Sequence, residues 1–279
     1  MSLNTLLDSH TAFESTNSEA EYLSRWQAAT GNINSPFLKA VAGGLQADRL
    51  AWVFIAGYQG AIRHCFELPR DLRDQHWLTF AVSEDRSREN PLPGVTWKEI
   101  EGQLILQGHK TWIAACDSIS ALIVKAGRGE QARYCLVGYD SPGLTLTAKA
   151  APKMLPDLSQ GRASFENVVA TKSDLPQRRP IAQFGVTEAF MTYSAFAACI
   201  WAQAQRLSEE FSERSILLIN QAESIYTTEP DSLSPEPLKT FDQGIQALLG
   251  DWLAFEGNTD SHWQRDQQLV RMYSRGIQK

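Results

Sequence analysis

The sequence has few histidines and no two cysteines close together. Its five histidines and its four cysteines, Cys65, Cys116, Cys135 and Cys199, form no C-x-x-C pair and no cluster at metal-ligand spacing. That excludes a zinc finger or a disulfide framework and leaves reduced, buried thiols as the expectation, with no metal site. Positive charge is not in excess either. With 26 Lys and Arg against 32 Asp and Glu, the net charge is -6, and no basic block occurs, so a nucleic-acid partner is not expected. No apolar run approaches the length of a membrane span, and Met1 to Asp8 lacks a basic start followed by an apolar core. A cytoplasmic protein without membrane contact is expected. Internal repeats and low-complexity tracts are also missing.

What is present is a hydrophobic fraction of 43% over 279 residues, enough for the core of one large domain or two. The periodicity changes twice. From Ala20 to Phe66 it is helical, with Tyr22, Leu23 and Trp26 at helical spacing and a broad stripe of Leu50, Val53, Phe54, Tyr58, Ile62 and Phe66. Asp48 is placed to cap the second of these helices. Between Trp77 and Val169 it becomes a series of short β-like runs: Leu78–Ser83, Gly94–Lys98, Gln103–Leu106, Ala121–Lys125, Tyr134–Tyr139, Leu144–Ala148 and Arg162–Val169. Their spacing and turn residues predict an antiparallel barrel or sandwich. Thr171 to Pro180 reads as a linker. After it come one long helical pattern from Phe184 to Asn220, rich in small residues, and a break over Thr227–Pro237. A second apolar face then runs from Phe241 to Gly257, and a short helix starts near Ser261.

The expected organisation is therefore α+β, in three stretches: N-terminal helices over 1–75, a β-domain over 76–170 and a helical bundle over 171–279. Within the β-domain lie Phe80-Ala81-Val82-Ser83-Glu84, Glu101-Gly102-Gln103-Leu104-Ile105-Leu106-Gln107-Gly108-His109-Lys110-Thr111-Trp112-Ile113 and Ser164-Phe165-Glu166-Asn167-Val168. Together these strings resemble the middle β-domain of acyl-CoA dehydrogenases, and the helical-β-helical order matches the layout of that family. The chain resembles a shortened, divergent member, with an abbreviated N-terminal part and a truncated C-terminal bundle.

The resemblance implies FAD as cofactor, held by the β-domain, and an acyl thioester as substrate. It places Phe80, Val82 and Ser83 where family members bind the flavin edge through backbone and hydroxyl groups. Trp112 falls where an aromatic packs along the flavin, and Ala114 where a hydroxyl residue usually contacts it. The family's glycine-rich loop is replaced by Asp85-Arg86-Ser87-Arg88-Glu89-Asn90, in which Arg86 and Arg88 are candidates for phosphate binding or for a solvated loop. Glu84 is structural in the family pattern.

The family reaction needs a carboxylate to take the α-proton while the β-hydrogen leaves as hydride. At the family's late motif this chain has Arg265-Asp266, then Tyr273 and Ser274, so serine stands where the glutamate is usual. Some members carry the base on the first helix after the β-domain, and there Glu188 is the candidate. His109 is read as exposed at a hairpin exit and not a ligand. The function implied is α,β-oxidation of an acyl-CoA by a homo-oligomeric flavoprotein. Two alternatives stay open: a non-catalytic protein of the same fold, or a flavin-dependent monooxygenase.

Overall fold

The computed structural model describes residues 1–11, 15–150, 152–228, 233–256, 258 and 261–278. These form two compact units, one made of Met1–Cys65 with Arg178–Lys279, the other of Phe66–Gln177. The helices before and after the β-region thus share one unit.

The helical unit begins with α1 (Leu3–Asp8), α2 (Glu19–Thr30), α3 (Pro36–Leu45) and α4 (Leu50–Cys65). The first three start at serine caps: Ser2, Ser18 and Ser35 each accept a hydrogen bond from a backbone N–H three residues on. Asp48, placed by sequence to cap α4, instead accepts from the Thr16 backbone N–H at 2.6 Å and pairs with Arg49. Helix α5 (Arg70–Arg73) belongs to the other unit. The helical unit resumes with α6 (Phe184–Ala204), α7 (Glu209–Thr228), α8 (Pro235–Ala254), α9 (Ser261–Asp266) and α10 (Gln268–Ile277). The pattern read as one helix from Phe184 to Asn220 is therefore two, turning at residues 205–208. The break carries no glycine or proline, and its one local mark is Ser208 ahead of Glu209 and Glu210, whose hydroxyl accepts the Phe211 backbone N–H at 3.5 Å as α7 begins. Gly257, the expected stop of the α8 face, lies outside the described residues, as do residues 229–232 of the expected break.

Helix α6 is buried along nearly its whole length, and the small residues at its surface explain how. A Cβ on Gly44 of α3 would lie 2.2 Å from the Ala195 carbonyl oxygen, and one on Gly57 of α4 would lie 2.4 Å from the Thr192 Cα. Two helices therefore meet α6 backbone to backbone, a distance only glycine permits.

The β-unit holds β1 (Trp77–Ala81), β2 (Thr96–Ile100), β3 (Gln103–Ala114), β4 (Ile119–Ala126), β5 (Arg133–Gly138), β6 (Leu144–Ala148) and β7 (Gln160–Val169). No closed barrel forms. The strands make two sheets, one in the order β1-β4-β5 and one in the order β2-β3-β7-β6. All pairs are antiparallel except β1 with β4, which is parallel. Strand spacing shows where strands lie but not which pair or in which sense, so the expectation of an antiparallel barrel or sandwich has no way to register a parallel pair. The expected linker is partly tied to this unit: Leu136 donates to the Lys172 carbonyl and Leu175 to the Tyr134 carbonyl. His109, expected at an exposed hairpin exit, sits inside β3 and is half-buried, its Nδ1 3.0 Å from the Ser164 hydroxyl.

Replacing Gly44 with Ala forces α3 away from α6, and overpacking of this kind costs about 1–3 kcal/mol. The expected result is a lower urea midpoint with an unchanged slope; an unchanged midpoint would show that the helices separate without cost.

Candidate functional site

Within the β-unit, the chain brings two of the expected positions side by side. Past the end of β1, the Thr111 backbone N–H donates to the Ser83 carbonyl at 2.9 Å, so Ser83 lies next to Thr111-Trp112 of β3. Ser83 is half-buried, and its hydroxyl makes no hydrogen bond among the described residues. Val82 is 38% exposed just past the end of β1. Trp112 is half-buried; its indole N–H donates to Gln160 Oε1 at 3.2 Å, and the Gln160 amide donates to the Met154 carbonyl at 2.7 Å. Gln160 thereby fixes the indole's orientation. Sequence reasoning missed it, because a lone glutamine starting a strand belongs to no motif.

The other two expected positions are placed differently. The Phe80 ring is buried in a cluster with Phe66 and Tyr134, at centroid distances of 5.1 and 5.9 Å, so its side chain serves the core. Ala114 is fully buried opposite Gln160 in the β3-β7 register and offers a ligand no side-chain group.

Beside this stretch sits a buried cation, Lys110, whose Nζ lies 3.5 Å from the Val82 carbonyl. The Lys110 side chain is completely buried and donates to Glu84 Oε1 at 3.0 Å, while Arg128 pairs with Glu84 Oε2 at 3.1 Å from the surface. Burial works to raise the Glu84 carboxyl, but hydrogen bonds and charge from Lys110 and Arg128 outweigh it and hold the group below its usual range. The loop that follows is built around Asp85, which accepts the backbone N–H groups of Ser87 at 2.9 Å and Leu92 at 3.1 Å as well as the Ser87 hydroxyl. The Ser87 hydroxyl foremost, then these N–H groups, hold the Asp85 carboxyl at about 2. Asp85 thus gives shape to a loop that lacks glycine, with Arg86 and Arg88 exposed on it. A cleft of about 700 Å³ also opens in this unit, lined by Glu84, Gly94, Trp97 and Arg128 among others. Neither Ser83 nor Trp112 borders it.

In the helical unit, two residues that the sequence analysis singled out separately are in contact. The Tyr273 hydroxyl of α10 donates to Glu188 Oε1, near the start of α6, at 2.5 Å. Burial pushes the Glu188 carboxyl up to about 7, and the Tyr273 hydrogen bond works against that rise. Burial and the adjoining Glu188 carboxylate push the Tyr273 hydroxyl well above its ordinary value, so it stays a donor. Ser274, where the family's usual glutamate is expected, donates instead to Asp242 of α8 at 2.7 Å. Arg265 and Asp266 bond to each other at 2.7 Å.

No family model and no curated protein matches the chain. Solved structures do. Apo-form PigA is 13% identical with a TM-score of 0.63, the match covering 97% of this chain and 91% of that one; PigA has also been solved as an FAD complex. An FAD-dependent dehydrogenase is 12% identical with a TM-score of 0.61, covering 96% of this chain and 97% of that one. Butyryl-CoA dehydrogenase from Megasphaera elsdenii is 8% identical with a TM-score of 0.65, covering 94% and 88%. The chain has the acyl-CoA dehydrogenase fold. At such identities the likeness concerns architecture, and chemistry has to be argued from the site.

Glu84→Gln leaves the buried Lys110 without its counter-charge, which costs about 3 kcal/mol at neutral pH. Because the Glu84 carboxyl is held low, its contribution is complete above the ordinary carboxylate range and is lost as pH falls through the depressed value. Denaturation at pH 7 and in acid should therefore show a large gap between wild type and variant that closes in acid; a gap independent of pH would contradict the pairing.

Proposed function

We propose that the protein is an acyl-CoA dehydrogenase-like flavoprotein that oxidises an acyl-CoA or related acyl thioester between its α- and β-carbons, with FAD as cofactor and Glu188 as base. The observation that carries this reading is the state of Glu188. A general base is most effective when its pKa lies near the working pH, and a carboxyl raised to about 7 by burial and still oriented by a tyrosine meets that requirement. An ordinary surface glutamate would be too weak a base.

FAD, when bound, supplies the hydride acceptor. The residues at the β-unit positions fit a flavin in three respects. Ser83 has an uncommitted hydroxyl, Val82 is exposed beside it, and Trp112 presents an indole whose orientation Gln160 fixes. In this reading Ser83 donates to the ring edge, the Phe80 and Val82 backbone lines it, and Trp112 lies along the ring. Ala114 contributes only backbone. Glu188 takes the proton from the α-carbon, and Tyr273 stabilises the carboxylate that is ready to receive it. In this reading the protein is a homo-oligomer, a state that light scattering checks.

A second reading is favoured by one observation. The buried Ala114 methyl removes a contact that a hydroxyl would make, and a chain that had lost its flavin while keeping the fold would show that feature. The visible absorption spectrum after incubation with FAD and removal of the excess separates the two. Retained flavin supports the enzyme; its absence supports a non-redox binding protein.

Glu188→Gln is expected to keep any bound FAD and to lose substrate-dependent bleaching by roughly 10²–10⁴-fold, the range of general-base effects. An unchanged rate would remove Glu188 from the chemistry. Turnover should fall as pH drops below about 7, because the carboxyl is then protonated. Tyr273→Phe removes a donor that favours the charged form, so this acid limb should move to higher pH.

A further inference from the structure

Asp242 of α8 is 1% exposed, and among the described residues its carboxylate is met by neutral hydrogen-bond donors rather than by a cation. Oδ1 accepts from the Tyr193 hydroxyl of α6 at 2.6 Å and from the Gln246 amide at 3.3 Å. Oδ2 accepts from the Ser274 hydroxyl at 2.7 Å and from the Gln278 amide at 2.6 Å. Gln246 also donates to the Val270 carbonyl at 3.2 Å. Val270, Ser274 and Gln278 are four residues apart, so they share one face of α10 and its C-terminal cap. That face is tied along its length to a single carboxylate and the glutamine one turn beyond it on α8.

Tyr273 is next to Ser274 in the chain and stands edge-on to Tyr193, with ring centroids 6.1 Å apart at 82°. Any slide or rotation of α10 that broke the Ser274 or Gln278 bond would carry the Tyr273 hydroxyl away from Glu188, since one residue of helix turns a side chain by about 100°. A buried acceptor left unsatisfied is costly, so the register with both bonds made is strongly preferred. We propose that Asp242 is a positioning residue for the proposed reaction: by holding the 270–274–278 face of α10, it sets the register that places the Tyr273 hydroxyl on Glu188. The inference rests on Glu188 being the base, yet its geometry stands apart from turnover. The titratable groups that bear on Glu188 are Tyr273 from α10 and, behind it, Tyr193 of α6 and Asp242 of α8.

The test follows the protonation of Glu188 directly, in the full-length protein without substrate. The infrared carboxyl stretch of protonated Glu188 is identified by its loss in Glu188→Gln, and its midpoint is then measured in wild type, Tyr273→Phe, Asp242→Asn and Asp242→Asn/Tyr273→Phe. Losing the Tyr273 hydrogen bond to a charged carboxylate should raise the midpoint by about one pH unit. The proposal expects Asp242→Asn to raise it by a similar amount and the double variant to go no further than Tyr273→Phe alone. Should Asp242→Asn fail to fold, Ser274→Ala removes one tether from α10 and should give a smaller upward shift. A wild-type midpoint in the Asp242 or Ser274 variant, beside a shift in Tyr273→Phe, would overturn the positioning role. So would additive shifts in the double variant. Because no turnover is needed, failure of the proposed function would show separately, as a protein with the expected midpoints and no thioester oxidation.

Discussion

The helical unit depends on how closely α3 and α4 can approach α6. A helix that is apolar around nearly its whole circumference has no solvent face and is stable only when enclosed. Gly44 and Gly57 let two neighbours enclose it at backbone contact, and α7 covers much of what remains. The far end of this arrangement is where the chemistry is proposed. Glu188 lies one turn into α6, so its position is set by the same contacts that fix Thr192 and Ala195 against the glycines. A rigid α6 gives the carboxyl a defined place, and burial then changes its acidity.

The sequence made the elements legible to a useful degree. Every β-like run corresponds to a strand, and Leu144–Ala148 matches to the residue. Alternation and turn residues are local signals, so they survive reading one residue at a time. Direction and pairing are not local. Nothing around Trp77–Ala81 or Ile119–Ala126 says that these two strands run parallel, so the expectation of an antiparallel barrel or sandwich holds for strand content and not for this pair. The break between α6 and α7 is harder to read: Gln205-Arg206-Leu207-Ser208 carries no glycine or proline, and only Ser208 before Glu209-Glu210 announces the new helix.

The site was legible where a motif carried it and dark where function passes through unremarkable residues. Ser83 and Trp112 were found together by resemblance, and the hydrogen bond from Thr111 to Ser83 brings them together in space. Tyr273 and Glu188 were each noted in different motifs, 85 residues apart in the chain, without any sign that they touch. Gln160 and Asp242 belonged to no motif, and Lys110 lay within one without any sign of its burial, because a polar residue among other polar residues reads as solvated whether or not the fold buries it. Burial and partners are what distinguish them, and both are properties of the fold.

The discontinuity of the helical unit bears on how the chain is made. Residues 1–65 leave the ribosome with the faces of α3 and α4 that will enclose α6, yet α6 is synthesised only after the whole of Phe66–Gln177 has followed. During that interval an apolar surface rich in glycine and alanine waits without its partner while the β-unit can already fold. Apolar surface left uncovered in an intermediate is prone to aggregation and is the kind of surface that chaperones bind.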